Sequence, residues 1–478
     1  MADQSETKGA VPHRLFGRRK LTTHYDSVTA ANVTEVLESV LMDMSANEYD
    51  IETLYQYYRG EQDILRRTKK VRPEICNRAV ENHAMEIVSF KTGYIFGEPI
   101  QYVSRASKGD TGEAGVSERV AALNELMYAA SKASCDKELA EWMFIAGSGY
   151  RMLLPDSRSP AGFIIDVLDP RYTALVYTTE PGRYPVMSIQ KKRDGDDNVI
   201  YWCYTPDTLY KFRETTLESA EPIPYGFIPI FEYTPNPSRI GAFEPVIDLL
   251  DALNVAVNNR LDGVEQFIQA FFKGINLKID EEIWDKLREK GLMLFNSDPG
   301  NPAEFDLVSA ELNQTQAQVL TDYIYQTILT VCDMPDRNGS NRTTGDTGQA
   351  VILRDGWSAA ESYARSVVID FEPVEKRFLA ALLRILENTG NDLELRVSDI
   401  GIKFTRNMTD NMLTKTQALQ NMLEAGIDPR IAISFCSMFS DPEQVYLDSA
   451  EYLKKWKPGA VQPEAAVTPA NNKPNPNE

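Results

Sequence analysis

Apolar residues recur at intervals of three and four along most of this chain and at shorter, strand-like spacing through its middle, so an α+β protein with more helix than sheet is expected. From Ala31 to Arg59, Val33, Val36, Leu37, Val40, Leu41 and Met44, then Ile51, Leu54, Tyr55 and Tyr58, keep the helical spacing, and Gly60 supplies a stop. A second helix is expected from Ala79 to Tyr94, broken by the Gly97-Glu98-Pro99 step before a strand from Ile100 to Val103. Residues 104–117 carry three glycines and no large apolar group, which predicts a surface loop, and one helix is expected from Glu118 to Ala146. The pattern then changes. Tyr150 to Leu154, Ile164 to Leu168, Thr173 to Tyr177, Pro185 to Lys192, Val199 to Tyr204 and Thr208 to Phe212 are short, β-branched and aromatic, and the turn at Asp194-Gly195-Asp196-Asp197 makes them a mostly antiparallel meander.

A long helical pattern runs from Phe243 to Lys273, with Val246, Leu250, Leu253, Val257, Leu261, Val264 and Ile268 on its apolar stripe. Asp248, Asp251, Arg260, Asp262 and Glu265 interrupt it, so it is no membrane span, and its stripe needs another surface, such as a second subunit. Residues 274–310 read as a compact insert of short strands and a small helix. Helix returns from Gln314 to Val331. The segment from Arg337 to Gly348 is polar and glycine-rich, hence a solvent-facing loop. Ala350 to about Glu387 is again helical, with a kink expected near Asp370 and Phe371 because Pro373 lies inside it. A strand from Ile400 to Phe404 follows, then short helices over Thr409 to Trp456, including Ile431 to Phe439 and Pro442 to Leu453. The last 22 residues hold five prolines and no aromatic residue and read as a disordered tail. The first thirty residues, with Arg14, Arg18, Arg19 and Lys20, read as a mobile basic arm.

Composition narrows the chemistry. The net charge of −20 makes any phosphate-gripping surface a local exception and suits a surface past which DNA slides. Five scattered cysteines form no C-x-x-C pair, and the three histidines, His13, His24 and His83, have no metal-ligand spacing, so no metal or other cofactor is expected. No phosphate-binding G-x-x-x-x-G-K-[ST] loop occurs, and Gly356-Trp357-Ser358-Ala359-Ala360 only approximates a nucleophile elbow within a helical stretch. The chain is therefore expected not to be an enzyme, to be made in a cytoplasm, and to have no membrane partner. The polar loop has two readings: an ordinary connector, or a segment whose Arg337, Asn338, Ser340, Asn341, Arg342, Thr343 and Thr344 touch a phosphate backbone without reading sequence.

Three stretches resemble one family. Asn77 followed by Gly93-Tyr94-Ile95-Phe96-Gly97-Glu98-Pro99-Ile100, the strand Pro224-Tyr225-Gly226-Phe227-Ile228-Pro229-Ile230-Phe231-Glu232-Tyr233, and the helix opening Phe243-Glu244-Pro245-Val246-Ile247-Asp248-Leu249-Leu250-Asp251-Ala252-Leu253-Asn254 are similar to motifs of the ring-forming portal proteins of long-tailed double-stranded-DNA phages, in the branch typified by phages of Gram-positive hosts. The resemblance covers roughly residues 50–450. It implies a ring of about twelve copies at one capsid vertex, through which the genome is packaged and ejected. It also implies a wing at 31–240, a stem helix at 241–273, a clip at 274–310, a returning stem helix at 311–336, a tunnel loop at 337–347, a kinked wing helix and wing strand at 348–408, and a crown at 409–456. The clip, with Trp284, Leu292, Leu294, Phe295 and Phe305, would dock the terminase large subunit and later a head-to-tail adaptor. Double-stranded DNA and the major capsid and scaffolding proteins are the further partners implied, and the virion is the implied location. Family tunnel loops carry an aliphatic or aromatic residue near the tip, whereas this one is polar after Pro335. A structural head protein without a channel is the alternative.

Overall fold

Val33, Val36, Leu37, Val40 and Met44 project from one side of helix α1 (Val33–Tyr58) into a buried layer shared with Leu21, Val176, Met187, Ile189, Cys203 and Phe212. These partners lie on a six-stranded sheet, so the helical period of α1 meets the twofold period of strands. The strands are β1 (Leu21–Thr23), β5 (Thr173–Thr178), β6 (Pro185–Arg193), β7 (Val199–Tyr204), β8 (Thr208–Arg213) and β9 (Thr216–Pro222), in that spatial order. Only the β1–β5 pair is parallel. The opposite face of this sheet, through Leu175, Tyr177, Tyr204 and Leu209, packs on a three-stranded antiparallel sheet of β3 (Gly149–Pro155), β4 (Phe163–Leu168) and β10 (Ile230–Tyr233). Strand β5 is buried on both faces, which is why Ala174 and Val176 serve one layer and Leu175 and Tyr177 the other.

The largest core is helical. It gathers α2 (His83–Phe96), α3 (Glu113–Ala129), α4 (Lys132–Ala146), the start of α5 (Ile247–Ile268), the end of α6 (Gln314–Val331) and α7 (Trp357–Asn388), with β2 (Gln101–Ser104) paired to β13 (Ile400–Lys403) beside them. Strands β11 (Phe271–Ile275) and β12 (Glu304–Val308) form a separate ladder, and α8 (Met412–Glu424) packs on α9 (Pro429–Cys436). This computed structural model describes residues 17–70, 72–105, 113–268, 271–275, 304–308, 314–336, 356–406, 412–436 and a few positions up to 452. Among the described residues no helix is long and apolar enough to cross a membrane.

Several elements differ from the sequence expectation. The expected helix from Glu118 to Ala146 is two helices, because Ser131 takes a left-handed φ of 54° and Lys132 then turns inward. The first of them begins at Glu113, inside the segment expected to be a loop. Helix α2 starts at His83 instead of Ala79, since the Asn82 side chain accepts from Met85 N at 3.2 Å and caps it. The helix expected from Phe243 to Lys273 is a 3-10 turn at Glu244–Val246 followed by α5, which ends at Ile268; Phe271 to Lys273 join the β11 strand instead. Helix α9 stops at Cys436, short of Phe439. Strand β9 was not expected, because its alternation is polar and it sits at a sheet edge. Helix α7 runs through Pro373, and the carbonyl deprived of its donor belongs to Ile369, whose side chain is on the solvent side of the helix. Residues 17–23 are not a mobile arm: Arg18 is buried on Glu244 at 2.8 Å, Arg19 pairs with Asp43 at 2.7 Å and Lys20 lies over the Tyr177 ring at 4.1 Å. Arg14 and the tail after Trp456 lie outside the described residues.

A fully buried charge cluster fixes α7 to the three-stranded sheet. Arg151 on β3 meets Glu375 on α7 at 2.9 Å and also pairs with Asp136 on α4. Lys132 reaches Glu375 at 2.9 Å and Asp136 at 2.6 Å. The hydroxyls of Tyr102 and Tyr233 donate to Glu375 at 2.6 and 2.8 Å. Two cations and two carboxylates thus neutralise one another away from water, which is the condition under which buried charges are tolerated.

Candidate assembly surface

Helices α5 and α6 form an antiparallel hairpin whose base is sunk in the helical core and whose far half leaves it. Leu250, Leu253, Val257, Leu261 and Val264 share one face of α5 at the helical repeat of about 100° per residue. Val246, Leu250 and Leu253 are buried at the base together with Ile328 and Leu329 of α6. Farther out the same stripe emerges: Val257 is half-buried, Leu261 is 42% exposed and Val264 46%. The returning helix carries a second apolar face, with Val319 64%, Leu320 53% and Tyr323 67% exposed. One hairpin therefore presents two different uncovered apolar surfaces.

The polar positions of α5 serve another purpose. Asn254, Asn258 and Asp262 follow one another every four residues and all three are buried. Asn254 Oδ1 accepts from Glu81 N at 2.8 Å and its amide donates to Gln62 at 2.6 Å. Asn258 Oδ1 accepts from Ala79 N at 2.7 Å, and its amide donates to Ala79 O at 2.7 Å. Asp262 accepts from both the backbone and side-chain nitrogens of Asn77, at 2.8 and 2.9 Å, and pairs with Arg67 and Lys69, each at 3.0 Å. Although burial opposes it, these donors and cations hold the Asp262 carboxyl below its usual range. The extended segment leading to α2 is thereby strapped along the hairpin. The base is pinned as well, since Glu244 accepts from Gly17 N, Arg18 and Gly241 N, each at 2.8 Å.

Asp251, on the same helix, is held in the opposite sense. Burial, reinforced by Asp63 and Asp248, pushes it up to about 6 even though the Tyr57 hydroxyl donates to it at 3.0 Å. A carboxyl with a raised folded pKa contributes most below its unfolded pKa of about 3.9, and that contribution is lost as pH rises through the folded value. Asp251→Asn is therefore expected to flatten the pH dependence of unfolding between about 4 and 6 and to stabilise the chain at pH 8 by about 1 kcal/mol, after discounting for solvent screening at a half-exposed group. Urea unfolding of both proteins across this pH range measures it, and parallel curves would exclude this role for Asp251.

Of the residues expected from sequence to form one packing stripe, Leu250, Leu253, Val257, Leu261 and Val264 share a face of α5, Val246 is buried in the 3-10 turn before it, and the side chain of Ile268 lies outside the described residues. So do Arg337, Asn338, Ser340, Asn341, Arg342, Thr343 and Thr344 of the polar loop and Trp284, Leu292, Leu294 and Phe295 of the insert. Phe305 is placed by its backbone alone, opposite Gly274 in the β11–β12 ladder. Sequence reasoning treated Asp262 only as an interruption of an apolar run. The four-residue repeat of Asn254, Asn258 and Asp262 was the available sign of a clamp.

No curated protein matches the chain. Among solved structures it is similar to a chain from the "Virion of native gene transfer agent (GTA) particle", with a TM-score of 0.42 and 12% identity over 79% of this chain and 89% of that one. The model of the family described as "Phage portal protein, SPP1 Gp6-like" matches residues 41–460, a span that holds the strap, the hairpin and the long helix α7, and the chain therefore belongs to that portal protein family.

Proposed function

We propose that this chain is one subunit of a portal ring at a capsid vertex, built by hairpins packing side by side around a channel for double-stranded DNA. The observation that carries the reading is the pair of unlike apolar faces on one hairpin, Leu261 and Val264 on α5 and Val319, Leu320 and Tyr323 on α6. Two unlike patches favour a heterologous contact, and a heterologous contact closes into a ring when its rotation divides the circle. In this reading α5 and α6 are the stem, the β11–β12 ladder with the residues between its strands is the clip, the two stacked sheets with α7 are the wing, and α8 with α9 is the crown. The net charge of −20 suits a channel wall that repels DNA toward its centre. The clip docks the terminase during packaging and an adaptor afterwards, while the outer surface meets capsid and scaffold and helps to nucleate the head. Negative-stain imaging of the purified chain, with mass measurement in solution, tests this directly. Rings of about twelve copies are the expected result, and a monomer at every concentration and salt would overturn it.

The polar loop from Arg337 is the tunnel loop in this scheme, its two arginines touching passing phosphates weakly. Arg337→Glu with Arg342→Glu is expected to leave rings intact while cutting the yield of DNA-filled heads by about tenfold. Normal filling with that double variant would remove the loop from the DNA path.

A further inference from the structure

An apolar groove of about 390 Å³ lies between the six-stranded sheet, the segment before β10 and helix α7. Its floor includes Leu175, Phe227, Ile228, Ile230 and Ala381. The volume falls within the range of roughly 300–1,000 Å³ over which pockets bind ligands. Charge collects at the rim. Arg377, Ala380 and Arg384 share one exposed face of α7 at helical spacing. Arg384 donates to Gly226 O at 3.0 Å, where Gly226 takes a φ of 68° and any Cβ would lie 2.5 Å from the guanidinium. Nearby, burial and then the charges of Arg239, Arg183 and Arg377 lower the pKa of Lys20, so these cations act on one another. Among the described lining residues the one carboxylate, Glu232, is already held by Arg239 at 2.7 and 2.9 Å and by the hydroxyls of Tyr177 and Tyr150 at 2.6 and 3.2 Å. An apolar slot with a positive rim therefore stands on a chain whose net charge is −20.

We propose that this groove docks an acidic amphipathic segment of a partner protein, its apolar side chains seated between Ile230 and Ala380 and its carboxylates on Arg377 and Arg384. Charge complementarity selects this occupant. A basic or uncharged segment of equal apolarity would leave the rim arginines facing like charge or no opposite charge, and a like-charge contact carries a penalty. The groove is built from residues other than the hairpin faces, so the proposal stands apart from the ring reading. The Gly226-Phe227-Ile228-Pro229 stretch, singled out by sequence as a motif, supplies both the left-handed turn that admits Arg384 and part of the floor.

The test uses the assembled full-length protein and three labelled helical peptides: one with leucines at helical spacing and glutamates between them, one with lysines in place of the glutamates, and one with serines in place of the leucines. Fluorescence anisotropy is expected to show binding of the leucine–glutamate peptide, and at least about tenfold weaker binding of the other two. Arg377→Glu with Arg384→Glu should weaken that binding by about tenfold or more and favour the lysine peptide instead. Arg377→Glu alone, a change at an exposed position, should keep the melting temperature while weakening binding, which separates lost docking from lost folding. Equal binding of the glutamate and lysine peptides, binding unchanged by charge reversal, or no binding to the assembled protein would each overturn the proposal. So would protection of residues 226–231 from hydrogen exchange in the assembly but not in the monomer, since a neighbouring copy would then fill the groove.

Discussion

Arg151→Met is expected to destabilise the chain by about 3–5 kcal/mol, lowering its melting temperature by roughly 10 °C, because removing one partner leaves buried charge uncompensated. Arg151 is completely buried and is, with Lys132, one of two cations that bridge Asp136 and Glu375; without it Lys132 alone faces two carboxylates. Glu375→Gln should cost a similar amount, for the complementary reason that Arg151 and Lys132 then share only Asp136. The double variant should be less destabilising than the sum of the singles, as expected for residues in direct contact. There is also a signature in pH. Burial works against ionisation of Glu375, yet Lys132 and Arg151 hold its carboxyl down to about 2 from an ordinary 4.5. Its contribution is therefore full above the unfolded value and disappears as pH falls from about 4.5 toward 2, and Glu375→Gln should remove that part of the acid sensitivity. Denaturant unfolding of the four proteins at several pH values measures all of this, and single variants within 1 kcal/mol of the parent would show the cluster to be dispensable.

Leu261→Asp with Val264→Asp is expected to convert rings to monomers while leaving the monomer folded. Both side chains are more than two-fifths exposed in the isolated chain, so the monomer should lose no more than about 0.5 kcal/mol. In a ring the same positions would place carboxylates against the apolar face of a neighbour, at a cost of several kcal/mol per contact repeated at every interface. Leu320→Asp with Tyr323→Asp on the other helix should do the same, and mixing the two variants should not restore closed rings, because each keeps only one good face. Size and shape measured by light scattering and negative stain report the outcome. Rings of normal size from either variant would mean that the hairpins are not the contact.

Much of this architecture was visible along the chain. The stripes of α1 and α5, the stop at Gly60, the meander from Thr173 to Arg213 and the helix through Pro373 all follow from spacing, since periodicity records which side of an element must be dry, whereas the pattern did not show that β3 and β4 leave that meander to pair with β10 in a second sheet. The order of those elements, with the motifs around Asn77, Gly226 and Phe243, was enough to point to the portal family. Local pattern could not say where a polar residue goes. Glu375 sits four residues after Phe371 on the apolar side of α7, but its meaning depends on Arg151, 224 positions away. Asp262 looks like a break in an apolar run until Asn77, 185 positions distant, supplies its donors.

The same distinction explains the boundaries that moved. Phe271 to Lys273 continue a helical spacing, yet they form a strand because Asp306, Leu307 and Val308 lie alongside them. Leu21 to Thr23 look like part of a loose arm, yet they extend the sheet because β5 offers them an open edge. Sequence by itself determined the periodic faces and the family to which their order belongs. Only tertiary structure decided which charges are buried, which edges are paired and which apolar faces remain uncovered, because each depends on hydrogen-bonding and packing partners that the chain brings together from remote positions.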